Sequence, residues 1–392
     1  MRRLSLHIGA HKTGTTTFQE TFQMNDALLM RHGLGFSYVA PWPNLHSFMD
    51  YVTPGQVVPD GFRVIDPDRL AAFLASHAAD HVFGSSENFS FFFQQGPIDD
   101  LATALRRVFD DIKIIVYLRR QDRHAVSHHQ EGARPDRPHE GQLWGHALTA
   151  LPLPHPHHRL YLDYDQRMGL WEQAFGRENL IVRVFDRALL HEGDVVSDLL
   201  SVLKINPHRL ERKADVNRSV GRVQAKIGHI ANAALGDDAV TLRLLDAFPW
   251  HLQRMVPSAT AARDFLAPYL EGNRRLNARL NVTPFENLFP DDFTDYPDTN
   301  TETMDSEAWA EAMRVVILTL GRRQSELQAL NADDLRKAAT AVAAFDAPSA
   351  LRLVRAAHSL RPTGGLILKL LDELETQVAS PERKAPQPKA DG

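Results

Sequence analysis

The chain has 392 residues, enough for one large domain with an appendage or for two domains. A hydrophobic content of 43% and a charged content of 24% are ordinary for a globular protein, and a net charge of −5 gives no global basic signature of nucleic-acid binding. Cysteine is absent, which excludes disulfides, thiolate metal sites and cysteine nucleophiles, and no apolar run approaches the roughly 20 residues that span a bilayer.

At the start of the chain, Leu4, Leu6 and Ile8 alternate as in a short β-strand. A loop with Gly9, Lys12 and Gly14 follows, then a hydroxyl run and a helix expected over Thr17–Met30, with Phe18, Phe22 and Leu29 apolar. Strand, glycine-containing loop and helix start together make an anion site. Helix N–H groups and the helix dipole attract negative charge, glycines let the backbone close in, and a lysine adds a full positive charge. Lys12, Thr13, Gly14, Thr15, Thr16 and Thr17 are therefore candidate contacts to the phosphates of a nucleotide-like ligand.

Leu34–Val39 reads as a short strand. Asp66 and Pro67 cap a helix expected through Ala79. His81–Ser85 reads as a strand leading to Glu87, and Pro97–Phe109 as a helix. Lys113–Leu118 is the clearest buried strand, running into Arg119-Arg120 and a helix from about Asp122. Residues 132–160, rich in Pro, His and Gly, read as a long insertion beside the active face. A helix over Asp163–Phe175, a strand over Asn179–Phe185 and a helix over Asp194–Leu203 follow. Residues 222–290 are mainly helical, and helices resume from Ser306 to Val378 with breaks near Asn331, Pro348 and Pro362. The residues from Ser380 onward are expected to be disordered. The alternation predicts an α/β fold with a central parallel sheet, P-loop-like and three-layered, plus a mainly helical C-terminal region. The expected divisions are a nucleotide-binding domain over 1–297, a helical accessory region over 306–378 and a tail over 380–392. The accessory helices are a candidate surface for a partner or for self-association. No secretory signal is evident, and a soluble cytoplasmic protein is expected.

Arg119 ends a buried parallel strand and should face the crevice where α/β sheets bind ligands. Ser127, about two helical turns on, can reach the same phosphate, the arginine offering a bidentate fork and the serine one more donor. In the NTPase P-loop, G-x-x-x-x-G-K-[ST], the lysine follows the second glycine. Here Gly9 and Gly14 keep that spacing, but Thr15 stands in the lysine's place and Lys12 precedes Gly14.

The order Lys12-Thr13-Gly14-Thr15-Thr16 resembles the 5′-phosphosulfate loop of the sulfotransferase family, which uses 3′-phosphoadenosine-5′-phosphosulfate (PAPS). Arg119 and Ser127 match the arginine and serine with which that family reads the 3′-phosphate, in type and spacing. The family often has Asn-Pro after the arginine, where this chain has Arg120-Gln121. Tyr164–Asp186 looks like the helix and strand that follow, and Asn217-Arg218-Ser219 resembles a segment closing over the nucleotide, where Arg218 adds charge. The resemblance covers about residues 1–295 and implies PAPS as co-substrate, a hydroxyl acceptor and no metal.

In such a reaction Lys12, with Thr15, Thr16 and the loop amides, stabilises the leaving phosphate. Glu87, at the edge of the sheet beside the loop, is the leading candidate for the base, and related sulfotransferases place a glutamate or histidine near that edge. His11 is the second candidate. His124, His128 and His129 fall on the helix after Arg119 and read as solvated or structural, and His155-Pro156-His157-His158 matches no metal-ligand spacing. A saccharide acceptor is suggested by the wide 132–160 loop and by Trp42, Trp144 and Tyr161, whose rings suit sugar faces. Two other readings stay open. A P-loop kinase or NTPase is disfavoured by Thr15 and by the lack of an obvious Mg²⁺-holding aspartate. The other is a non-catalytic nucleotide-binding or assembly module.

Overall fold

Residues 1–134, 138–206, 210–212, 221–235, 253–329, 331–343 and 345–379 are described by the structure, a computed structural model. The chain divides into two compact units, Met1–Trp309 and Ala310–Gly392. In the first, a five-stranded parallel sheet is built from β1 (Arg3–His7), β2 (Leu34–Ser37), β5 (His81–Ser85), β6 (Asp111–Leu118) and β7 (Leu180–Val184) in the order β2-β5-β1-β6-β7. Between β2 and β5 lies an antiparallel pair, β3 (Met49–Tyr51) with β4 (Phe62–Val64).

The sheet is covered on both faces. On one, α1 (Thr15–Met24), α2 (Asp26–Arg31) and α9 (Val195–Leu203) pack Phe18, Phe22, Leu29 and Leu199 against Phe36, Phe83, Ile115 and Tyr117. On the other lie α3 (Pro67–Ala75), α4 (Gln95–Arg106), α5 (Gln121–Glu131) and α8 (Tyr164–Phe175). Their Leu74, Leu105, Ala125 and Trp171 belong to the core that holds Leu4, Leu6, Ile114 and Val116. Coverage of both faces is why β6 reads as an unbroken apolar run rather than an alternation. This is the expected α/β architecture with a central parallel sheet.

The rest of this unit holds α6 (Pro138–Trp144), α7 (His157–Leu162), α10 (Arg222–Leu235), α11 (Ala259–Leu266) and α12 (Leu270–Leu280). Then come α13 (Ser306–Ala329), which spans the division, α14 (Ala332–Val342), α15 (Ala347–Leu360) and α16 (Gly365–Ala379). In the C-terminal unit Ala339, Ala350, Val354, Ile367 and Leu374 form a separate core. Among the described residues, no helix is long and apolar enough to cross a membrane. The tail from Ser380 lies outside the described residues.

Three local expectations differ from the structure. The single helix over Thr17–Met30 breaks at Asn25. The Asn25 amide donates to the carbonyls of Thr21 (2.7 Å) and Glu211 (2.8 Å), and its side-chain oxygen accepts from the Glu211 N–H. An asparagine that bonds local backbone competes with the helix ladder. The β3–β4 pair had no counterpart in the sequence reading, its strands being three residues each. Finally, the 132–160 stretch is no plain surface insertion. It contains α6 and the start of α7, and Leu143 and Trp144 are buried in the main core.

Asp198 ties α9 to the sheet. Its carboxylate accepts from Arg183 Nε (2.9 Å), from Arg183 Nη2, from the Tyr117 hydroxyl (2.8 Å) and from the His191 N–H (2.8 Å). Burial alone raises its pKa, but Arg183, His191 and Tyr117 outweigh this and lower it. The stabilisation is therefore present above the unfolded aspartate pKa of about 4 and is lost as pH falls through the lower folded value. Arg183 is a third exposed, so Asp198→Ala should cost about 2–3 kcal/mol, less than the roughly 3–5 of a fully buried pair. Urea unfolding at neutral pH checks this, and a loss under about 1 kcal/mol contradicts the anchoring role.

Candidate active site

The site lies at the carboxyl ends of β1, β5 and β6, the edge where open α/β sheets bind ligands. β1 and β6 pair in register from Arg3↔Asp111 to His7↔Ile115. The ladder continues past β1, since the N–H groups of Ile8 and Ala10 donate to the carbonyls of Ile115 and Tyr117 at 2.9 Å. Only then does the loop leave the sheet. Gly9 (φ 100°) and Gly14 (φ 78°) occupy conformations that favour glycine. A Cβ on Gly9 would lie 2.1 Å from Ser90 Oγ, and one on Gly14 would lie 2.9 Å from Val195. Lys12 also has a positive φ, 60°, which for a residue with a side chain is held by its surroundings at a cost of about 1–3 kcal/mol.

Gly14 sits at the N-cap of α1, and no side chain caps the helix. The first helical N–H groups thus lack a side-chain acceptor at an end where the dipole favours an anion. Thr16 is exposed there and Thr17 half-buried, whereas Thr13 is buried and its hydroxyl donates to the Ala10 carbonyl at 2.6 Å. Thr13 braces the loop from within rather than presenting its hydroxyl. The Lys12 ammonium lies 2.9 Å from Glu131 Oε2 at the end of α5.

Arg119 leaves β6 beside this loop. Its Nη1 donates to the Lys12 carbonyl at 3.2 Å, its backbone carbonyl accepts from the Tyr164 hydroxyl at 2.7 Å, and its guanidinium lies 6.0 Å from the Phe185 ring. Among the described residues it has no carboxylate within ion-pair distance. Burial lowers its pKa, opposed by Tyr296 and Asp122. Arg120 behaves differently. It is buried, paired with Asp122 at 2.8 Å and bonded to the Pro290 carbonyl at 3.0 Å, a structural role. Ser127 lies two turns along α5, half-buried, its hydroxyl without a hydrogen bond to another described residue. Arg218 lies outside the described residues.

Glu87 follows β5 directly. Its Oε2 accepts from Gln19 of α1 at 3.2 Å and lies 3.1 Å from His46 Nε2. Burial pushes its pKa up, but the hydrogen bonds from His46 and from the Thr15 hydroxyl outweigh this and hold it well below the usual range. The carboxylate is thus ionised and fixed beside the loop. His46, on the short turn His46–Phe48 before β3, is the one member of this group that the sequence reading missed. It is 41 positions from Glu87, and no motif links them.

The other histidines are interior groups. His11 is buried, its Nδ1 lies 2.8 Å from the Tyr161 hydroxyl, and its ring stacks on His128 at 4.8 Å. Burial and His128 hold its pKa well below the usual histidine value. His124, His128 and His129 are fully buried, which leaves the structural half of their expected role and not the solvated one: His124 and His128 pack on Trp144 and Tyr161, and His129 stacks on His229 of α10 at 4.3 Å. Trp144 and Tyr161 are also buried, their ring centroids 5.8 Å apart, and present no face to a sugar; Trp42 is exposed.

No family model matches the chain. A stretch of 124 residues is 29% identical to an uncharacterized protein of Archaeoglobus fulgidus, spanning 31% of this chain and 31% of that protein. Among solved structures, the chain is similar to a sulfotransferase from Alicyclobacillus acidocaldarius. That similarity has a TM-score of 0.38 at 15% identity and covers 72% of this chain and 97% of that one. No residue takes its role from either likeness.

The Lys12–Glu131 pair generates a prediction. An anion arriving at the loop competes with Glu131 for the ammonium. Glu131→Gln should tighten binding of inorganic sulfate at the loop by up to about fivefold, matching the ~0.2–1 kcal/mol of a partly exposed pair. Calorimetry measures this, and unchanged or weaker binding contradicts the competition.

Proposed function

We propose that the chain is a PAPS-dependent O-sulfotransferase that moves a sulfuryl group to an acceptor hydroxyl by in-line displacement. The observation that supports this reading most is the meeting of Lys12 and Arg119. The Arg119 guanidinium, just past β6, donates to the backbone carbonyl of Lys12, 107 positions away in the loop after β1, beside an uncapped helix start. Such a site suits a ligand with two separate anionic groups. In the proposal, Lys12, the α1 amides, Thr16 and Thr17 hold the 5′-phosphosulfate, the buried Thr15 hydroxyl being turned to Glu87, and Arg119 with Ser127 holds the 3′-phosphate.

The acceptor oxygen attacks sulfur while the bond from sulfur to the bridging oxygen breaks. Negative charge grows on the departing 5′-phosphate, where Lys12 and the amides stabilise it. The acceptor's proton passes to the Glu87–His46 pair. Glu87 is held ionised and so has low proton affinity of its own, whereas His46 is a third exposed and reachable by an acceptor. His46 receives the proton and Glu87 holds the resulting imidazolium. A saccharide hydroxyl remains the proposed acceptor. It draws support from Trp42, an exposed ring four positions from His46, and no longer from Trp144 or Tyr161. A kinase reading has no structural observation in its favour.

Turnover of sulfur-labelled PAPS over a panel of saccharide acceptors tests the proposal. Lys12→Ala should lower turnover by about 10²–10³ with the fold retained, the usual loss for one preorganised donor to a developing charge. Glu87→Gln and His46→Asn should each lower it by about 10²–10⁴ while leaving cofactor affinity nearly unchanged. Nucleotide binding without any turnover would favour a non-catalytic module. Normal turnover in Lys12→Ala would remove the loop from the chemistry.

A further inference from the structure

Three buried groups from three elements converge at the loop. They are His11 of the loop, His128 of α5 and Glu140 of α6. Each offers one nitrogen or carboxylate oxygen, and these atoms lie within 4.8 Å of one another; no other such group occurs among the described residues. Two polar side-chain atoms of this cluster lack hydrogen-bond partners. His128 Nε2 is fully buried and unpartnered, and so is Glu140 Oε2, which lies 2.8 Å from His139 Nε2 but out of line for a hydrogen bond.

His128 Nε2 stands 3.5 Å from Glu140 Oε1. That is long for a hydrogen bond. It is close to the ~3.3 Å that separates two ligands on a tetrahedral ion with bonds of about 2.0–2.1 Å. The remaining ring nitrogens are already occupied: His11 Nδ1 by the Tyr161 hydroxyl at 2.8 Å, and His128 Nδ1 by His124 Nε2 at 3.2 Å. Such outer partners fix ring orientation and leave Nε2 for the ligand, as in metal-bound histidines. A buried carboxylate without an aligned donor is costly, and a cation offsets that cost.

We propose that His11, His128 and Glu140 bind one divalent transition-metal ion of the zinc class. Two nitrogen ligands and one carboxylate suit zinc and disfavour magnesium or calcium, which take oxygen ligands. The ion ties the loop to α5 and α6. Because His11 immediately precedes Lys12, it fixes the lysine from behind. This assignment draws on side chains that the sulfuryl-transfer proposal does not use, apart from the shared loop, and it stands or falls independently of that proposal.

The test is Zn²⁺ uptake by the full chain after chelator treatment, measured by equilibrium dialysis with elemental analysis, and Co²⁺ absorption as a reporter of coordination. One tightly held Zn²⁺ per chain is expected, with a rise in melting temperature and a Co²⁺ spectrum of tetrahedral type. Tyr161→Phe keeps the packed ring but frees His11, and should weaken binding about 10–100-fold. His128→Asn and Glu140→Gln should weaken it further and abolish the rise in melting temperature. Should these two variants misfold, Tyr161→Phe still decides the matter. His155→Asn, at an exposed histidine outside the cluster, should change nothing. No stoichiometric uptake by the wild type overturns the proposal. So does uptake that survives Tyr161→Phe unchanged, or that is lost in His155→Asn.

Discussion

The parallel pairing of β1 with β6 is the constraint on which the site depends. It runs past the formal end of β1, through Ala10, so the chain turns away from the sheet only beside Tyr117. Two residues later, just past the end of β6, comes Arg119. The register therefore places the Arg119 guanidinium under the Lys12 carbonyl, and no motif in either segment alone specifies that contact. A slip of this pairing would separate the two cations and also break the ladder that carries Gly9 and Ala10. Because both faces of β6 are buried, such a slip is opposed by the whole core.

β5 adds the third participant. It ends at Ser85, and two residues on, Glu87 reaches Gln19 of α1 and His46. Lys12 after β1, Arg119 after β6 and the Glu87 carboxylate after β5 thus follow the carboxyl ends of three neighbouring strands. The loop itself is braced: Thr13 bonds back to Ala10, Ser90 donates to the Ile8 carbonyl at 3.0 Å, and Lys12 holds a left-handed conformation. Rigidity of this kind keeps a charged side chain in place without reorganisation when charge develops nearby.

The sequence made the sheet and its cation-bearing edge legible because those features are local. His81–Ser85 coincides with β5, and Lys113–Leu118 lies within β6, since short apolar runs bounded by polar residues carry their own signal. Lys12 and Arg119 were readable for the same reason, each lying at a strand end. What escaped was decided by long-range contact. Asn25 breaks its helix because Glu211 lies beside it, 186 positions away in the chain. Trp144 and Tyr161 looked like surface aromatics within a Pro- and His-rich stretch, but α6 and α7 fold them into the core. His46 has no pattern around it, and only the structure sets it against Glu87. The histidines of α5 read as solvated or structural, and only the packing of α6, α7 and α10 decides for the buried alternative.

The central claim is that this edge binds a nucleotide carrying both a 5′ and a 3′ anionic group. Calorimetry with 3′-phosphoadenosine-5′-phosphate and with adenosine 5′-phosphosulfate, on the wild type and on Arg119→Ala, tests it most directly. The account predicts that the wild type binds the first ligand and that Arg119→Ala weakens this by about 10–100-fold, the range for a charge-assisted hydrogen-bonded contact. Binding of the second ligand, which lacks the 3′-phosphate, should change little. Equal losses for both ligands, or no binding of 3′-phosphoadenosine-5′-phosphate to the wild type, would contradict the account.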